Sequence, residues 1–318
     1  MNSRRVSRDC TQLFFDRAIE PVESVKPGER VVVETADSLC GLIKSEVDTF
    51  MHFDEILDRL GSACPVTGPL YVEGARAGSC VAITIHDIDA APVTGTGWTA
   101  VIPGLGALVH DQGYSLQPAI EPRTSICSVR DGVITMPVDG RDIRIQAHPF
   151  IGTAGVAPPM ERRISFSQSR EYLGDVDIPQ FGPGSTLVLP AHIDGALVSM
   201  GDVHAAQGDA EITGAAVEVE ADVELSIEFL DADAAQYVRL PILETRDWIG
   251  AIAGFQGVHL GDCVRAAFVD LAKRLSRYHG FSEIGAYQLL GQVGRVQVGN
   301  MIDPFYSALA YIERQYLD

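Results

Sequence analysis

Three stretches of the chain share one grammar, and it restricts the fold more than any other feature. "KPGERVVVET" (26–35), "RAGSCVAITIHD" (76–87) and "GPGSTLVLP" (182–190) each set a glycine-containing turn before a run of β-formers. Proline fixes φ at one turn position and glycine accepts positive φ at the next, while Val/Ile-rich runs suit pleated, half-buried surfaces. From 211 to 229, "EITGAAVEVEADVELSIEF", Val217 and Val219, then Val223, Leu225 and Ile227, alternate with charged or polar residues. The two registers join near Ala221 and Asp222, which predicts a bend or bulge. Further strands are expected at 70–73, 133–136, 142–147 and 196–200, with a hairpin turn at Asp139 and Gly140. "GTGWTAVIPGLG" reads as a loop.

Helical spacing comes late. Val264, Ala267, Phe268, Leu271 and Leu275 line one face of "HLGDCVRAAFVDLAKRLSRYHG", which Gly280 can close. Ser282 can cap a second short helix, and "PFYSALAYIERQYL" reads as a third. The expected fold class is mainly β with an α+β portion, sandwich- or barrel-like. It is a single unit over 1–318, β-rich over 1–257, with a helix-containing segment 258–318 packed on it.

With 318 residues and 46% hydrophobic content, the chain can bury a sizeable core. Its 24 basic residues against 43 acidic, net charge -19, argue against a nucleic-acid partner, because phosphates need Lys/Arg stripes. Six scattered cysteines without a CxxC pair read as reduced thiols. No apolar run reaches membrane length and no apolar core follows the basic start, so a cytoplasmic location without a membrane partner is expected.

The densest chemistry lies in "SMGDVHAAQGDAEITG" (199–214). If 200–204 is extended, Asp202 and His204 point to one face; after a reversal at Gly208, Asp209 and Glu211 share a face in turn. A carboxylate and an imidazole on one face, joined by a second carboxylate, can hold a divalent metal. The plainer reading is a solvated turn. Glu73, at the end of "GPLYVEG", either projects into a cleft or is a strand-end surface acid. His148, before Pro149 in extended geometry, borders a small-residue loop that could approach a ligand. Asp37 is a turn former or a ligand. His192 and Asp194 share a face upstream of the main motif, and Trp98 either lines a pocket or anchors a loop. The chain has no GxSxG elbow, HExxH helix or phosphate loop.

The sequence resembles the acetamidase/formamidase family. The likeness is carried in order by "GPLYVEGARAGS" (68–79), "AHPFIGTAGVAP" (147–158), "PGSTLVLPAHIDGALVSMGDVHAAQGDAEITGAAVE" (183–218) and "AYQLLGQVGRVQVGNMIDP" (286–304). "KPGERVVVETADSLCG" (26–41) matches more loosely. The resemblance implies a metal-assisted hydrolase of short linear amides, usually a homodimer, with zinc as the first expectation and calcium as an alternative. It carries Asp202, His204 and Glu211 over from the strongest motif, Glu73 from "VEGA", His148 from "HPF", and Asp37 from the looser match. On this reading Asp202, His204, Asp37 and His148 are metal ligands, and Glu73, Glu211 and Asp202 are catalytic. His192, Gln207 and Trp98 border the substrate. The family pattern "GDGHAAQGDGE" has glycines where this chain has Val203 and Ala210. His192 and Asp194 also depart from it. A lactam or cyclic amide as substrate, and a calcium-stabilised binding protein without activity, stay open as alternatives.

Overall fold

The computed structural model describes residues 4–108, 120–231, 238–302 and 304–317. Among these, the strands form a nine-stranded sheet, a twelve-stranded sheet and a two-stranded pair of Phe14–Phe15 with Arg163–Ile164, with no closed barrel. The first runs Arg4–Val6, Arg30–Thr35, Ala221–Leu230, Cys80–Ala90, Thr186–Pro190, Ile242–Glu244, Trp248–Gln256, Phe305–Glu313, Arg295–Ile302. The second is centred on Val198–His204, flanked by Phe150–Gly155, Val66–Val72 and Glu218–Val219. The main core joins inward residues of both sheets, such as Val33, Ile83 and Leu225 from one and Leu70, Ile151 and Met200 from the other.

The turn grammar holds. Gly28, Gly78 and Gly184 all take positive φ, and Asp139 (φ 49) and Gly140 (φ 75) close the hairpin between Val133–Val138 and Arg141–Gln146. The bend expected near Ala221 falls at Glu220, where the chain leaves the twelve-stranded sheet after Val219 and enters the other at Ala221. Glu220 anchors that corner by accepting from Arg8 at 3.0 Å and from the backbone N–H groups of Val93 and Thr94 at 3.0 and 2.9 Å. A register shift follows at Glu224/Leu225.

Three helices are described: Asp54–Leu60, Leu260–Tyr278 and Glu283–Val293. The long helix lays Cys263, Ala267, Leu271 and Leu275 on the outer face of the nine-stranded sheet, against Ala251, Ala253, Ala308 and Ala310. Ser282 caps the next helix by accepting from the Gly285 N–H. Two expectations fail. The tail is a strand, Phe305–Glu313, not a third helix. Its Leu309 faces the sandwich core and its Ala308 and Ala310 face the long helix, so both sides are apolar and the period-two signal vanishes. The "GTGWTAV" segment is also a strand, Thr96–Val101, since Gly97 lets it approach the Glu218 carbonyl where a Cβ would sit 2.7 Å away. Among the described residues no helix is long and apolar enough to cross a membrane.

Leu309→Ala tests the strand assignment. It empties a fully buried site between two layers and should cost about 2–5 kcal/mol, read by denaturant unfolding. A cost below roughly 1 kcal/mol would place that residue outside the core.

Candidate functional site

One end of the sandwich gathers Asp175, Asp177, Asp202, His204, Glu211 and Glu218, all buried. Asp202 and His204 lie on Val198–His204, in which every residue is buried. Asp202 departs from extended geometry at φ 56, and the pairing with Phe150–Gly155 skips Gly152 and Asp202. Only a glycine fits opposite: a Cβ on Gly152 would lie 2.6 Å from Asp177 Oδ1 and 2.7 Å from Asp202 Oδ2. Glu211 enters through a tight turn in which Ala210 (φ 70) and Glu211 (φ 44) are both left-handed. Asp177 (φ 48) shares that backbone region, which non-glycine residues occupy at a cost of order 1–3 kcal/mol each, typically at functional sites.

His204 is the centre. Its Nε2 lies 3.4 Å from Asp202 Oδ1, 3.5 Å from Glu218 Oε1 and 3.9 Å from Asp177 Oδ1. Asp177 Oδ1, Asp202 Oδ1 and Glu218 Oε2 are buried without a hydrogen-bond partner. The ligand atoms of Asp177, Asp202 and His204 lie within 4.8 Å of one another, as do those of His204, Glu211 and Glu218, and of Cys64, Asp175 and Asp202. Thr153 Oγ1 reaches Asp175 Oδ1 at 2.7 Å and Asp202 Oδ2 at 3.0 Å, but its single proton can serve only one at a time.

Burial and crowding dominate the electrostatics. Burial, with Asp202 adding repulsion, pushes Asp177 up to about 7 even though His204 opposes the rise. Burial likewise pushes Glu218 up to about 8. Asp175 and Glu211 rise well above the carboxylate range for the same reasons, burial first and neighbouring carboxylates next. Burial works against the charged forms of His204 and Asp202 too. Even so, Glu218 and Asp202 hold the imidazole well above its usual value, and His204 keeps Asp202 below its own. The Cys64 thiol is pushed up by burial and the acids around it, which rules against a thiolate nucleophile.

These groups wall a cavity of about 30 Å³, room for two or three water-sized groups. Leu39, Ile56, Trp98, Phe166 and Ile302 form its apolar side, and among the described residues no lysine or arginine lines it. Five carboxylates therefore share one imidazole as their only cationic side chain. Oxygen-rich donors with one imidazole fit a divalent cation, because unpaired buried charge is otherwise prohibitive.

The structure brings Asp202, His204 and Glu211 together and separates others from them. Glu73 is exposed, carried outward as Val66–Val72 ends at the Gly74 turn, and accepts from Ser24 at 3.3 Å. His148 is exposed; only its backbone approaches the site, bonding the Ala205 carbonyl. From the same motif, Gly152 and Thr153 face the cluster instead. His192 is half-buried with Nε2 2.6 Å from the Glu171 carbonyl, and Asp194 pairs with Arg76 at the surface. Both oxygens of Asp37 accept backbone N–H groups, from Leu39 and Gly41, so it forms a turn beside the site. Gln207 touches His204, and Trp98 lines the cavity. Asp209 does not share a face with Glu211: it is exposed and accepts from Gln297. Gly208 is not the reversal point either, since its φ is -77.

Sequence reasoning missed Asp175, Asp177 and Glu218. The signal for the first two was present in "GDVD" (174–177), the same carboxylate-x-ligand spacing as Asp202 and His204.

A small cavity walled by buried carboxylates and one imidazole offers both donors for a cation and groups that can move protons. The chain belongs to the acetamidase/formamidase family, whose model matches residues 7–168 and 162–303. It is similar to the crystal structure of an acetamidase from Bacillus halodurans, at 30% identity and TM-score 0.85, covering 98% of each chain. An acetamidase from Yersinia enterocolitica matches at 28% identity and TM-score 0.88, covering 99% of this chain and 93% of that one. A gamma lactamase from Delftia acidovorans shares the fold at 20% identity and TM-score 0.64, over 97% of this chain and 90% of the other. A comparison with curated proteins returned no match.

The charge balance and the strained turn can each be tested. Asp177 and Glu218 hold protons up to about 7 and 8, whereas unfolded carboxyls lose theirs near 4. A raised folded value means stability is lost as pH rises through it. In chelator, these two groups should therefore make the melting temperature fall as pH rises from roughly 4 towards 8, and a divalent cation should reduce the slope. A melting temperature that rises over that range without cations would contradict the cluster's charge balance. Separately, Ala210→Gly relieves a left-handed alanine and should raise stability by up to about 1 kcal/mol in the same melts, whereas destabilisation would mean that the methyl group packs favourably.

Proposed function

We propose that the protein hydrolyses small amides to carboxylate and ammonia at this site, with a divalent cation, zinc first and calcium second, held by Asp177, Asp202 and His204. The observation that carries this reading is the set of buried carboxylate oxygens without partners around His204 Nε2, unbalanced by any lysine or arginine in the described wall. A cation bound there lowers the pKa of a water and polarises an amide carbonyl.

The chain's own groups do the rest. Asp202 and Asp177 supply negative charge and fixed direction. Glu211 lies on the cavity wall; once a bound cation offsets the burial and carboxylate repulsion that favour its protonated form, its carboxylate would take the proton of the attacking water and hand it to the departing nitrogen. Glu218, held by the Ala216 N–H at 2.9 Å, fixes His204 from the other side. The apolar wall gives the cluster a low-dielectric side that strengthens its electrostatics. The cavity size favours formamide or acetamide over a lactam, and its burial disfavours a binding protein with an open face.

Ammonia release from formamide, acetamide and a simple lactam, with and without chelator, tests this directly. Chelator-sensitive release from the linear amides is expected. Asp202→Asn should stay folded and lose more than roughly 100-fold in rate, beyond what loss of an outer partner of a ligand costs. An active Asp202→Asn enzyme, or equal turnover with the cation stripped, would overturn the proposal.

A further inference from the structure

The neutral side chain of Gln207 is fully committed. A side-chain amide has one accepting oxygen and one donating nitrogen. Gln207 Nε2 lies 3.0 Å from the Asp177 carbonyl and 3.0 Å from the Gly299 carbonyl, which can only accept. The amide therefore has one orientation, with Oε1 turned to His204 Nδ1 at 2.8 Å. That oxygen can only accept, so Nδ1 carries a hydrogen. With the Nδ1 hydrogen held by Gln207, the proton that a binding cation displaces is the one on Nε2, whose lone pair then faces the point where Asp202, Glu218 and Asp177 converge.

The neighbouring residue of the tail motif acts in the same way. Asn300 Nδ2 donates to Asp177 Oδ2 at 2.7 Å, and this occupies the outer oxygen. Asp177 Oδ1, buried and without a partner, is left facing His204. Gly299 makes the approach possible, since a Cβ there would fall 2.2 Å from the Val176 carbonyl and 2.3 Å from Ser307 Oγ.

We infer that Gln207 is a positioning residue that commits His204 Nε2 to cation binding, anchored by the backbone of Gly299, while Asn300 sets the inward oxygen of Asp177. This rests on the cation reading given above. It also removes Gln207 from the substrate contacts expected from sequence, because both ends of its amide are already engaged.

The test compares the full-length wild type with Gln207→Met and Gln207→Glu. Each is titrated with zinc and with cobalt(II), whose visible absorption reports its donor set, and each is melted to confirm folding. Both variants lose the two donated bonds to Asp177 and Gly299, but glutamate keeps an acceptor for Nδ1. Gln207→Met should bind zinc roughly 10- to 100-fold more weakly, with a changed cobalt(II) spectrum, and Gln207→Glu should recover most of that loss. A purely structural tie predicts equal damage in both variants, and that result would overturn the inference. So would a folded Gln207→Met that binds zinc as tightly as the wild type, while leaving the cation reading intact. A wild type that binds neither metal would overturn both.

Discussion

The interaction on which this structure turns is the burial of five carboxylates around a single imidazole. Water would solvate each of these charges far better than the protein interior does, so the arrangement persists only if protons or a cation neutralise it. Burial and neighbouring carboxylates push Asp175 and Glu211 towards their protonated forms, and the inner oxygens of Asp177 and Asp202 face Nε2 of His204 without another partner. The rest of the fold serves this cost: two sheets supply rigid edges, small residues allow close approach, and backbone strain is tolerated at Asp177, Asp202 and Glu211.

The groups around the imidazole come from separate segments. Val198–His204 carries Asp202 and His204, the stretch after Leu173–Asp175 carries Asp177, and Glu218–Val219 carries Glu218. Arg295–Ile302, which belongs to the other sheet, contacts this group through the Gly299 carbonyl, which accepts from Gln207, and Asn300, which donates to Asp177. A site assembled this way inherits its precision from sheet packing rather than from any one loop. Membership of the acetamidase/formamidase family accords with that construction.

Much of this was legible in the sequence, for identifiable reasons. Period-two placement put Asp202 and His204 on one face, and turn chemistry located the hairpin at Asp139 and Gly140. Glu218 was not legible because it sits in an alternating run whose charged members look solvent-facing, and only the change of sheet at Glu220 turns it inward. Phe305–Glu313 was misread because a strand covered on both faces loses its alternation. Glu73 and His148 lie in motifs shared with the family, yet their side chains point to solvent. In the second of these motifs the contact to the site is made by Gly152, whose contribution is the lack of a side chain.

The corner at Glu220 has a consequence for how the molecule comes apart. Residues 218 and 219 pair in one sheet and residue 221 in the other, with a single anchored residue between them. A fluctuation that peels Glu218 away from His204 must also pull on the central strand of the nine-stranded sheet. Hydrogen exchange at the amides around Glu218 should therefore follow global unfolding rather than local fraying, since the buried cluster and the core share this one strand connection.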